Sequence, residues 1–222
     1  MPIAYLKFLN NQEFRPPFEK GLGRNIQLLD DKRGVISLGE FDSGIWLAYC
    51  TSSQEKNENS LIHKKVSDLR KRFPNTDIKA CIFLVDASEN EPEKLTQYRI
   101  SHPTLADADY IVAAKIPVVQ KYLKNEFRFS VYPYEKEDRW IYDYDLIILD
   151  NLPQKEKTLP NALLCHMRGH LNFKRAQEID QEAIKNNSPM AAEQRLDELF
   201  VKTIQYLIDN PAEESAPLQG DR

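Results

Sequence analysis

Glycine and cysteine are both scarce in this chain of 222 residues, and that scarcity removes whole classes of chemistry before any motif is weighed. Of the 7 glycines, Gly21, Gly23, Gly34, Gly39 and Gly44 lie in the first 44 residues, so a glycine-shaped phosphate cradle has little room to form elsewhere. No Gly-Lys-Ser or Gly-Lys-Thr occurs and "GLGRN" is too short for a phosphate loop, which excludes a P-loop nucleotide hydrolase. The 3 cysteines, Cys50, Cys81 and Cys165, are far apart and form no Cys-x-x-Cys pair for zinc or redox chemistry. Cys50 in "WLAYC" and Cys81 in "KACIFLV" sit in apolar runs, where a free thiol behaves as a small hydrophobe. Excess positive charge is missing as well. With 30 basic against 34 acidic residues the net charge is -4, so any anion-binding surface must be local. No run approaches the roughly 18 apolar residues of a membrane span, and "MPIAYLKFLNNQEF" lacks a basic region followed by an apolar one. The expectation is a cytoplasmic protein with no membrane contact.

What is present is the mixture of an ordinary folded chain, 41% hydrophobic and 29% charged. Ile3 to Leu9 reads as a short strand. "NIQLLDDKRGVISLGEF" reads as a hairpin around Asp30 to Gly34, and Gly44 to Thr51 as the third strand of an N-terminal meander. Ile62, Val66, Leu69 and Phe73 then recur at the spacing of one helical face, with Ser60 as the expected N-cap and Pro74 as the stop. Ile78 to Asp86 is a buried strand, so strand, helix and strand form one β-α-β crossover with the two strands parallel. "ENEPEKLTQYRISH" reads as a polar connector, and "FRFSVYPY", "EKED" and "RWIYDYDLIILDNL" as an antiparallel pair with a long second strand. After Pro153 the pattern reads as helical: Leu163, Leu164 and Leu171 to Ile184, then a helix from Ser188 with Leu196, Leu199, Phe200, Thr203, Ile204, Leu207 and Ile208 on one face. The expected fold class is α+β: a mixed sheet with an N-terminal β-meander, one β-α-β crossover and a helical C-terminal section. The expected organisation is a mixed domain over 1–152, a helical section over 153–210 packed on it, and a disordered tail over 211–222.

Two features point to phosphate. The helix from Ser60 to Phe73 presents His63, Lys64, Lys65, Arg70, Lys71 and Arg72 against the single acid Asp68, the footprint of a nucleic-acid contact. The stretch "TLADADYIVAAKIPVVQKYLKN" admits a degenerate helix-turn-helix: Ala108 and Val112 face inward, Ala113 takes the turn, and Ile116, Val119 and Tyr122 anchor the second helix. Lys115, Gln120, Lys121 and Lys124 would then meet phosphates and base edges. Asp109 fits that motif badly, since a small residue belongs between the helices.

Other constellations point to metal chemistry. Asp42 ahead of Gln54-x-Lys56 resembles the acid and lysine set with which nucleases orient water on a phosphodiester. Asp143, Asp145 and Asp150 in "YDYDLIILDN" could hold Mg2+. "CHMRGH" spaces His166 and His170 for one metal on a helix, yet lacks the glutamate of a metalloprotease and a third ligand. The sequence reading is therefore a soluble, nucleic-acid-associated binding or regulatory protein with no cofactor, leaning against an enzyme. Its alternatives are a Mg2+-dependent phosphodiester hydrolase, and a protein-interaction partner docking through the C-terminal helix and its "AAEQRLDELF" segment.

Overall fold

The computed structural model describes residues 26–41, 44–54, 56–125, 133–142, 146–151, 162–167 and 192–209. The strand expected at Ile3 to Leu9, the helix at Leu171 to Ile184 and the tail lie outside these residues.

The chain begins its described part with β1 (Gln27–Asp30) and β2 (Gly34–Ser37), the expected antiparallel hairpin. Its turn is built by Asp30, whose Oδ1 accepts from the backbone N of Lys32 at 3.1 Å and of Arg33 at 2.8 Å. Gly34 supplies the positive φ of 76° that closes it. β3 (Gly44–Thr51), α1 (Lys56–Arg72) and β4 (Ile78–Leu84) form the expected crossover, and β3 and β4 are parallel. The helix starts ahead of Ser60 because "KNEN" carries neither glycine nor proline to stop it.

A second crossover follows, where one was expected. α2 (Pro92–Ser101) leads into β5 (Tyr110–Ala113), parallel to β4. Then come α3 (Ile116–Asn125), the small hairpin β6 (Tyr134–Lys136) and β7 (Arg139–Ile141), β8 (Leu146–Asn151), β9 (Ala162–Met167) and α4 (Ala192–Asp209). The "EKED" turn holds Glu137 and Asp138 at φ of 53° and 59°, the backbone of a two-residue hairpin turn.

The main sheet has the order β2-β1-β5-β4-β3-β8-β9, with β8 antiparallel to β3 and β9 antiparallel to β8. The fold is thus the expected α+β class of mixed sheet and helices, with two corrections of detail besides the second crossover. The hairpin and β3 do not make a meander: β1 pairs with β5, so β5 and β4 separate it from β3. Burial explains this, since all eight residues of β3 are buried, as a central strand requires, whereas half of β2 is exposed. And 162–167, read as helical, is a strand, because its apolar run is as compatible with a buried strand as with a helix.

Two cores flank the sheet. Ile45, Leu47 and Tyr49 of β3 face α1, α2 and α4 through Ile62, Val66, Leu69, Leu95, Tyr98, Phe200, Ile204 and Leu207. Trp46, Ala48 and Cys50 face the other way, toward α3 through Val119 and Leu123 and toward Trp140 of the hairpin. Period-two alternation along β3 therefore assigns each side chain to one layer or the other.

Candidate functional site

Two crossovers over one face put the carboxyl ends of β3 and β4 side by side, and the chain then crosses to β8 on the far side of β3. In open sheets such a switch of direction leaves a crevice at the carboxyl ends of the strands. Here that end of the sheet carries the β3–α1 loop (Ser52 to Gln54) and the β4–α2 loop (Val85 to Glu91). The backbone N of Val85 donates to Thr51 O at 2.9 Å, prolonging the ladder by one step.

Asp86 clamps these loops together. Its side chain, only 1% exposed, accepts from Ser53 N at 3.0 Å and from the Ser53 hydroxyl at 2.5 Å. Lys94 of α2 lies 3.5 Å from Oδ2, the oxygen that takes the Ser53 hydroxyl, and also donates to the Asp86 carbonyl. Hydrogen bonds and an ion pair of this kind offset the cost of burying a carboxylate.

Behind the clamp, in the layer between β3, α1 and α2, runs a neutral polar chain. The Thr51 hydroxyl shares a hydrogen bond of 3.1 Å with the Tyr98 hydroxyl, which bonds His63 Nε2 at 3.2 Å. The Tyr98 ring stacks on His102 at 4.1 Å, and the His102 ring stands perpendicular to His63 at 4.9 Å. His102 Nδ1 lies 2.8 Å from the Tyr98 carbonyl, which can only accept, so that nitrogen carries the proton. Burial, and then the neighbouring His102, push His63 down to about 3, so it is a neutral imidazole. Burial pushes the Tyr98 and Tyr49 phenols up. The arrangement can hydrogen-bond, relay a proton or offer imidazole nitrogen; it cannot offer a thiolate. Cys50 and Cys81 lie in the opposite layer, both buried, and burial pushes the Cys81 thiol up.

The structure disperses the residues that the sequence pointed to as a phosphate contact. Lys65 pairs with Asp197 of α4. Arg70 pairs with Asp109 and donates to the Ile78 carbonyl at 2.9 Å, and Lys71 pairs with Asp68 at 3.3 Å. His63 is buried and neutral; Lys64 and Arg72 remain on the outer face. The helix-turn-helix does not exist, because Tyr110 to Ala113 is a buried strand and only the second element is helical. β-branched Ile111 and Val112 suit that strand. Asp109 is fully buried beneath it and accepts from Ala80 N at 2.8 Å and Ala106 N at 2.9 Å as well as from Arg70.

Lys115 lies 3.7 Å from Glu89, and Gln120 donates to the Pro133 carbonyl. Lys121 and Lys124 lie on α3, on the opposite side of the sheet from α1. No continuous cationic track joins the two groups, and the nucleic-acid, DNA-binding and regulatory readings fall with it.

Of the two alternative hydrolase sets, Asp42 of the first and Asp143 and Asp145 of the second lie outside the described residues. Gln54 is exposed beyond the carboxyl end of β3 and Lys56 opens α1, whereas Asp150 pairs with Ile45 at the other end of that strand. At about 3.3 Å per residue the two ends are some 20 Å apart. His166 is in a strand, not on a helix, and His170 is outside the described residues. The C-terminal helix spends its apolar face on the sheet through Phe200, Thr203, Ile204 and Leu207, so that face is not open to a partner. Among the described residues no helix is long and apolar enough to cross a membrane.

Sequence reasoning missed Thr51, Ser53, Asp86, Tyr98 and His102. A signal existed for some of them: a hydroxyl run directly after a buried strand, an aspartate following the next strand, and Tyr98 four residues before His102 at a helix C-terminus.

No family model and no curated protein matches the chain. Solved structures do. A protein from Aquifex aeolicus VF5, named for a proposed role in electron transfer, superposes with a TM-score of 0.51 at 15% identity, over 63% of this chain and 83% of that one. A SCO1/SenC family lipoprotein from Bacillus anthracis str. Ames gives 0.51 at 13%, over 66% and 86%. A ScoI from Arabidopsis thaliana, solved with copper bound, gives 0.48 at 13%, over 64% and 90%. The likeness is one of fold, a mixed sheet with helices.

Proposed function

We propose that this chain is a binding or assembly protein on the scaffold of the electron-transfer and Sco proteins, one that works at the carboxyl ends of β3 and β4 with hydroxyl, carboxylate and imidazole groups instead of thiolates. One observation carries the reading. The loop at that end is Thr51, Ser52 and Ser53 clamped by Asp86, while Cys50 and Cys81 are buried in the opposite layer.

Copper is the metal that the names of the fold neighbours raise. Copper(I) asks for thiolate or thioether sulfur. The described cysteines point away from the crevice, and among the described residues no group of three or more His, Cys, Asp and Glu could hold an ion. The described residues do not fit copper(I), and disulfide exchange fails for the same reason, since it needs an accessible thiolate. A fold of this kind hosts more than one chemistry, and the site decides which.

The test is a copper(I) titration against a chromophoric competitor, comparing the parent with a variant carrying Cys50→Ala, Cys81→Ala and Cys165→Ala. Equal uptake is expected. Stoichiometric uptake by the parent that the variant loses would overturn the reading, and Cys165→Ala alone shows whether the loss belongs to the buried pair.

A further inference from the structure

We propose that His63 and His102 supply the imidazole half of a site for one borderline divalent cation of the zinc class. The geometry of the two rings points to it. When two imidazoles bind one ion at about 2.0–2.1 Å with a near-tetrahedral angle, their centres lie about 5 Å apart. The rings of His63 and His102 are 4.9 Å apart at 89°.

The outer contacts fix the tautomers that such a site needs. His102 gives its Nδ1 proton to the Tyr98 carbonyl at 2.8 Å, which leaves Nε2 as the free donor atom. His63 Nε2 is held by the Tyr98 hydroxyl at 3.2 Å, and that hydroxyl can pass its own proton to Thr51 Oγ1 at 3.1 Å, which leaves Nδ1 of His63 free. A carbonyl or hydroxyl behind each imidazole is the support that ligating histidines carry. His63 is on α1 and His102 caps the C-terminus of α2, so an ion between them would also tie the two crossover helices together.

His63 is 5% exposed, but His102 is half-buried and gives the entry from solvent. Imidazole donors favour zinc, nickel or copper(II) over magnesium or calcium. Among the described residues no third His, Cys, Asp or Glu completes the set, so the other positions belong to water or an incoming ligand, as in open zinc sites. The inference uses neither cysteine and stands or falls apart from the thiol question.

The experiment titrates chelator-stripped full-length protein with Zn2+ in competition with a chromophoric chelator. One equivalent is expected to bind. His102→Gln, at a half-buried position that tolerates an amide, weakens binding at least about tenfold, and His63→Gln does the same if it folds. The double variant His166→Gln/His170→Gln binds within about twofold of the parent, the tenfold loss of a second-shell or ligand change being absent. No binding by the parent, undiminished binding by His102→Gln, or loss of binding in the His166/His170 variant would each overturn the proposal.

Discussion

The two ends of the central parallel strands are built from different materials. At the amino end the chemistry is ionic: Asp109, fully buried, takes Arg70 and two backbone N–H groups, while its own carbonyl accepts from Arg99 at 2.7 Å. Arg99 in turn grips Asp31 with two nitrogens and bonds the Ala106 carbonyl at 3.0 Å. The network ties β1, β4 and β5 to α1 and α2. At the carboxyl end one ion pair, Asp86 with Lys94, clamps the loops, and behind it hydroxyls and imidazoles stand in a row with one ring half-buried. An ionic network of this kind has one low-energy arrangement and holds a fold. A neutral chain with spare donors and acceptors still has chemistry to give.

That contrast can be broken from either side. The largest effect is expected at the ionic end. Asp109→Ala strands the Arg70 guanidinium and two amides, and should lower stability by about 3–5 kcal/mol, read from urea unfolding. A loss below about 1 kcal/mol would mean the network is peripheral.

The imidazole end responds to pH instead. His63 sits near 3 when folded, because burial disfavours its charged form, against an ordinary value of 6.5. The unfolded chain therefore binds this proton first. Its contribution is fully present above about pH 6.5 and is lost as pH falls from there toward 3, at up to about 1.4 kcal/mol per unit. In chelator-treated protein, His63→Gln should flatten that part of the stability profile. An unchanged profile would assign the acid sensitivity to other groups.

Smaller still is Tyr98→Phe, which removes the hydroxyl shared by Thr51 and His63. A loss of about 1–3 kcal/mol is expected in thermal unfolding, with the ionic end untouched.

The same contrast explains what was legible in the sequence. The β3–α1–β4 crossover could be read because Ile62, Val66, Leu69 and Phe73 mark one face against two long apolar runs. The second crossover could not, since α2 buries only Leu95 and Tyr98 and otherwise looks like a polar loop. β5 is four residues long, too short for period to separate strand from helix, which is how a helix-turn-helix could be drawn through it. Asp109 was the warning: an acid that fitted the motif badly because it belongs under a sheet. His63 was counted as a surface cation because its neighbours Lys64 and Lys65 are charged. Only the packing of α2 over α1 shows it to be buried, and the partners that cover it, Tyr98 and His102, lie 35 or more residues away. Contacts that join distant segments leave no local period to read.

The account rests most heavily on thiols that take no part in the chemistry of the crevice. Labelling the Cys165→Ala variant with a chromogenic disulfide reagent under native conditions tests this directly. Cys50 and Cys81 should react only as fast as the protein opens, and completely only in denaturant. Prompt, stoichiometric labelling of either in the folded protein would contradict the account and return thiol chemistry to this site.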